Sequence, residues 1–170
     1  EPIKFLSERT NSVEIESRNL TLSNIVPEMM DRMAIFNYMI GNTDWSVANQ
    51  HNCEILFQPK SERPDLGLII PYDFDYSGLI NADYAIPHES LPIERVTERI
   101  YQGKCRDEEV YLKELKEFAD KKKDFYQLIN EFEYLDSKKK KVMINYLDGF
   151  YNQFDKNNTI IYSLREHCVK

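Results

Sequence analysis

Three acidic residues fall at the ends of what read as rigid elements. Ile40-Gly41-Asn42-Thr43-Asp44-Trp45 puts Asp44 just past a helix, and Pro71-Tyr72-Asp73-Phe74-Asp75 puts Asp73 and Asp75 at the end of a strand. A short apolar strand lies between them, led in by His51-Asn52. Magnesium takes hard oxygen ligands, and a carboxylate beside a hydroxyl can orient it for attack on a phosphorus. The pattern therefore predicts a magnesium–phosphate site, its carboxylates held on element ends with an asparagine among them.

The elements that must position these groups follow from periodicity. Residues 27–40 predict a helix: Pro27 suits a first turn, and Met29, Met33, Phe36 and Ile40 form one apolar stripe that Gly41-Asn42 ends. Residues 42–52 read as a loop. Strands are expected over 53–58 and 66–72, joined by the turn-rich Pro59 to Asp65 as a hairpin. Residues 76–92, with Gly78, Pro87 and Pro92, read as a long loop, and long ordered loops in compact domains tend to be functional. Val13 to Glu16 alternates like a short strand, 20–22 reads as another, and 92–101 as a short helix. The remainder is helical. Leu115, Phe118, Phe125, Ile129 and Phe132 share an apolar face, with a break expected near Lys122. Ser137 caps a further helix carrying Met143, Leu147, Phe150 and Phe154, and Asn157 or Asn158 caps a last one carrying Ile161, Leu164 and Cys168. The fold class is mostly α with a small β-hairpin (α+β). A single domain is expected over 1–170: a lead-in over 1–26, the motif-bearing core over 27–105 and a helical bundle over 106–170.

The order helix, acidic loop, hairpin, acidic turn, helices resembles the C-terminal lobe of protein-kinase-like folds. Gly41-Asn42-Thr43-Asp44 is similar to the catalytic loop of HipA-like kinases. Pro71-Tyr72-Asp73-Phe74-Asp75 is similar to their metal-binding turn, and to the acidic turn of aminoglycoside phosphotransferases and spore-coat CotH kinases. The resemblance covers roughly residues 27–80 and implies ATP with Mg²⁺ (or Mn²⁺) as cofactors and a hydroxyl acceptor. It implies that Asp44 orients or accepts the hydroxyl proton and that Asp73 holds the metal. The amide ligand it implies is Asn52, immediately before the strand, or, as second choice, Asn49, at the protein-kinase spacing from Asp44. Asp75, in place of the usual Gly, holds a second metal or caps the next turn. The family also needs an N-terminal lobe with a Gly-rich loop. With five Gly and no GxGxxG, this chain lacks one, so an upstream lobe is the expected partner.

Each group also has a plainer role. Asn-Thr-Asp is good turn chemistry, Asp73 and Asp75 suit a solvated strand end, Trp45 suits a packing anchor, and His51 a loop residue bonded to backbone. A non-catalytic interaction module on the same lobe is therefore an alternative. A nucleotide-sugar transferase using Asp73-Phe74-Asp75 as its metal triplet is a second, although such enzymes usually alternate parallel strands with helices.

Composition narrows the classes. At 170 residues, 42% hydrophobic and 30% charged, the chain suits a soluble globular domain with a sizeable core. A net charge of −7 argues against a nucleic-acid partner. The basic run Lys138–Lys141 reads as a solvated helix face. No apolar run is long enough for a membrane span. Cys53, Cys105 and Cys168 make no CxxC pattern and no evident disulfide framework. The chain opens on Glu1 rather than Met, so its natural start is expected upstream and the compartment stays open, export included.

Overall fold

The computed structural model describes residues 2–14, 19–154 and 159–170. In chain order the elements are α1 (Ile3–Thr10), β1 (Val13–Glu14), a 3-10 turn (Leu22–Asn24), α2 (Pro27–Ile40), β2 (Cys53–Phe57), β3 (Gly67–Pro71), α3 (Glu108–Asp120), α4 (Lys122–Glu131), α5 (Ser137–Tyr151) and α6 (Thr159–His167). This is an α+β fold, mostly helical with a small sheet. Among the described residues no helix is long and apolar enough to cross a membrane.

Helix α2 is the spine. Pro27 opens it and Gly41, with φ of 66°, closes it in the left-handed conformation, where its amide meets the Asn37 and Tyr38 carbonyls. Met30, Met33, Ala34, Ile35, Tyr38, Met39 and Ile40 are all buried, so the helix is wrapped on several sides rather than along one stripe. The sheet lies on one flank. Among the described residues it runs β1-β2-β3, antiparallel throughout, with Cys53 opposite Pro71 and Phe57 opposite both Gly67 and Val13. On the other flank α5 and α6 bring Leu147, Phe150, Tyr151, Ile160, Ile161 and Leu164 into the same core. Each such fully buried aliphatic or aromatic side chain contributes about 1.5–3 kcal/mol.

Several sequence expectations need correction. Residues 3–10 form a helix that periodicity does not announce, because none of its residues is buried and its end is marked only by left-handed Asn11. The strand expected over 20–22 gives way to a capped turn. The Asn24 side chain takes the Thr21 amide at 2.8 Å, a local bond that competes with strand pairing. No helix forms over 92–101. The Glu98 carboxylate accepts the Glu94 and Arg95 amides at 3.2 and 2.9 Å and so replaces the helical ladder. Helices α3 and α4 do break, at Lys121, but Phe132 lies past α4 and is 46% exposed, off the apolar face. The cap of α5 is Asp136, not Ser137; its side chain accepts the Lys139 amide at 2.8 Å. Asn157 and Asn158 lie outside the described residues, as do Ile15 and Glu16 of the first expected strand.

The cysteines also differ from expectation. Cys105 and Cys168 are joined in a disulfide across 63 residues of sequence, and Cys53 is free and buried. The bond reinforces a parallel bridge between Lys104 and Val169, where the Cys105 amide meets the Val169 carbonyl and the Val169 amide meets Gly103, both at 2.8 Å. A pairing between distant loop positions leaves no spacing pattern for sequence to reveal.

Candidate functional site

The loop after α2 is built to hold Asp44. Asn42 is buried and donates its side-chain amide to Asn37 Oδ1 at 3.0 Å, while its own Oδ1 accepts the Asp44 backbone amide at 3.1 Å. Past Asp44 the chain makes a tight excursion. Ser46 and His51 exchange both backbone bonds, at 3.0 and 2.9 Å, which returns the chain beside its own start. Trp45 is buried beneath this loop, as a packing anchor would be.

The return delivers two side chains to the Asp44 carboxylate. His51 Nε2 lies 3.0 Å from Oδ1. The Asn52 amide nitrogen donates to Oδ2 at 2.9 Å and to the Asp44 carbonyl at 2.8 Å. The imidazole of His51 thus bonds a carboxylate, which corrects the expectation of a side chain spent on backbone; only its main chain pairs with Ser46. Asn52 is buried, whereas Asn49 is exposed, its amide on Ser46 Oγ at 3.2 Å.

The sheet places the start of the second motif beside Asn52, while the cleft that Asp44 lines is not lined by Asp73 or Asp75. Asn52 leads into β2, and its carbonyl accepts the Tyr72 amide at 3.1 Å, one residue past the end of β3. The backbone of Asp73 therefore follows directly from the partner of Asn52. Both Asn52 and Asp73 have left-handed backbones, with φ of 52° and 54°, so each bends the chain where it leaves the ladder. Asp73 is exposed. Phe74 is partly buried edge-on against Phe36 of α2, with ring centroids 5.5 Å apart. Asp75 accepts the Tyr84 hydroxyl at 2.8 Å, and that bond, more than any other influence, raises the Tyr84 pKa.

The two motifs are also tied behind the site. The Gly78 amide meets the Gly41 carbonyl at 3.0 Å and the Leu79 amide meets Ile40 at 2.9 Å, so the chain after the acidic turn is fastened to the residues before the acidic loop. A Cβ on Gly41 or on Gly78 would run into the Tyr146 hydroxyl, so this approach requires glycine on both sides. Arg99 locks the seam. It stacks 3.9 Å over the Tyr146 ring and donates to the carbonyls of Met39 and Tyr146 at 3.1 and 2.6 Å.

Asp44 and His51 line a cleft of about 530 Å³, together with His88 and Ser90 from the long loop. Among the described residues no three His, Cys, Asp or Glu side chains are grouped to hold a metal. A magnesium ion carried by nucleotide phosphates needs only one or two protein oxygens. The Asn52 nitrogen is committed to Asp44, and the Asp73 carboxylate is exposed.

Sequence reasoning missed Asn42, which orders Asp44 from below, and the cleft residues His88 and Ser90. The side-chain role of His51 had one available signal, its place next to Asn52 at the mouth of the strand. No known protein family, no curated protein and no solved structure matches this chain.

Proposed function

We propose that this chain is the C-terminal lobe of an atypical, HipA-like or CotH-like kinase. Joined to an upstream lobe that holds the nucleotide, it transfers a phosphoryl group from ATP with Mg²⁺ to a hydroxyl acceptor. The observation that carries the reading is the contact of Asn52 with the Asp44 carboxylate at 2.9 Å, on a hairpin whose other strand ends at Pro71, two residues before Asp73.

Asp44 is the residue that orients the acceptor hydroxyl and takes its proton. Each of its oxygens already has one partner, but a carboxylate has about four lone-pair sites, so room remains for the acceptor. Asn52 and His51 fix the plane of the carboxylate, and orientation of this kind is a large part of what such a group contributes. Asp73 and the Asn52 Oδ1 are the proposed metal ligands. Magnesium bound there supplies charge neutralisation at the phosphates. Asp75 is engaged by Tyr84 and is assigned to ordering the long loop rather than to metal. The loop, through His88 and Ser90, shapes the acceptor side of the cleft.

The test is phosphoryl transfer by the protein with its upstream lobe attached. Asp44→Asn and Asp73→Ala are each expected to lower the rate by roughly 10²–10⁴-fold. An unchanged rate in Asp73→Ala would sink the reading. This chain alone is expected to bind ATP with Mg²⁺ weakly or not at all, and micromolar affinity by calorimetry would contradict that.

A non-catalytic interaction module is the second reading. It is favoured by the exposed Ile80, Tyr84 and Ile86 on the long loop beside the acidic turn, at 50%, 59% and 74% exposure. Absence of Mg²⁺ or Mn²⁺ binding by the protein with its upstream lobe would decide for it. The antiparallel sheet lends no support to a nucleotide-sugar transferase.

A further inference from the structure

Four elements surround a hollow of about 350 Å³ that shares no lining residue with the Asp44 cleft. Met29, Met33 and Phe36 line it from successive turns of α2, Ile69 and Pro71 from β3, Phe118 from α3 and Phe125 from α4. The break at Lys121 allows it, because α3 and α4 bend there and leave the Phe118 and Phe125 rings 7° from parallel, with centroids 6.5 Å apart. The charged groups at the mouth are already matched. Arg32 holds Glu117 at 2.7 Å, and Lys121 holds Asp124 at 2.9 Å.

We propose that this hollow is a binding site for a small, uncharged, apolar molecule, an aromatic ring or a short hydrocarbon. Its volume lies at the lower end of the range for small-molecule pockets, about 300–1,000 Å³. A helix about 10–12 Å across would not enter it. Apart from Arg32, Glu117 and Lys121 the lining is hydrocarbon and aromatic, and Met29 and Met33 can reshape around a guest. A charged guest would have to open one of the ion pairs at the mouth or lie unpaired among apolar side chains, and both are unfavourable. Phe36 and Pro71 are the side of the hollow that faces the acidic turn, and Phe36 packs directly against Phe74. A guest touching Phe36 therefore lies one side chain away from the segment that carries Asp73 and Asp75. The occupancy of the hollow is independent of whether that turn performs phosphoryl transfer.

The test uses this chain with its five methionine methyl groups labelled with carbon-13. Toluene is expected to shift the Met29 and Met33 resonances saturably while leaving Met143 unmoved. Met29→Trp, which fills the mouth from a partly exposed position, is expected to abolish the response. Benzoate, of similar size but charged, is expected to bind roughly tenfold more weakly or less. The backbone amide of Phe74 is expected to move with toluene, and to stop doing so in Phe36→Leu. Absence of a saturable shift up to the solubility limit of toluene would overturn the site, as would an unchanged response in Met29→Trp. Benzoate binding as well as toluene would overturn its assignment to uncharged guests, and a Phe74 amide that never responds would overturn the link to the turn.

Discussion

Asn52 gives both hydrogens of its side-chain amide to Asp44, one to the carboxylate at 2.9 Å and one to the backbone carbonyl at 2.8 Å. The amide nitrogen is thereby committed to the acidic loop and the amide oxygen is turned away from it. A residue at the mouth of β2 thus settles how a side chain past the end of α2 is oriented.

Asn42 is the support of that arrangement. Asn42→Ala would leave Asn37 Oδ1 and the Asp44 amide without their partner in a buried setting. A loss of about 2–3 kcal/mol is expected in urea denaturation. The nitrogen-15 spectrum is expected to show the change concentrated at Asp44, His51 and Asn52.

Gly41 and Tyr146 form a coupled pair. Gly41→Ala places a side chain at a φ of 66° and against the Tyr146 hydroxyl. The left-handed backbone alone costs about 1–2 kcal/mol, and the collision adds to it. That hydroxyl is buried and has no hydrogen-bond partner among the described residues. Tyr146→Phe should therefore change stability by less than about 0.5 kcal/mol or raise it. Combined with Gly41→Ala, it should recover part of the loss, as a double-mutant cycle would show.

Glu114 gives a pH dependence with a definite sign. It is 3% exposed, and burial raises its pKa above the ordinary glutamate value, with Arg32 at 3.8 Å opposing only in part. The folded state then binds the proton more tightly than the unfolded chain. Its contribution to stability is complete below the unfolded pKa and is lost as pH rises through the folded one. Glu114→Gln removes that loss. The variant's stability relative to the parent should rise between about pH 4 and pH 7 in paired urea titrations. A constant difference across that range would refute the assignment.

The disulfide between Cys105 and Cys168 holds the last residues against the Gly103–Cys105 segment. Replacing both cysteines by serine is expected to cost about 2–4 kcal/mol, and adding reductant to the parent should lower its denaturation midpoint to that of the variant. Cys53 should stay unmodified by thiol reagents in the folded state, because burial pushes its pKa up to about 11.

The sequence exposed those parts of the fold whose signals are local. Pro27 and Gly41 bracket α2, short apolar runs and turn residues mark β2 and β3, and the three successive lysines coincide with the bend between α3 and α4. What it hid depends on contacts between distant residues. The partnership of β1 with Phe57, the pairing of Cys105 with Cys168 and the insertion of Arg99 between Met39 and Tyr146 leave no periodicity behind. The candidate site divides in the same way. Residue type and order single out Asp44, Asn52 and Asp73, but only the fold reveals that Asn42 and His51 complete the setting of Asp44 and that Tyr84 occupies Asp75.

Bonds such as Cys105–Cys168 persist in oxidising surroundings and are rare where glutathione keeps thiols reduced. Material made in an ordinary bacterial cytoplasm would therefore emerge with two separate thiols and a loosened final segment. Export to the periplasm, or an oxidising host strain, is the appropriate route to protein in which Val169 stays seated beside Lys104.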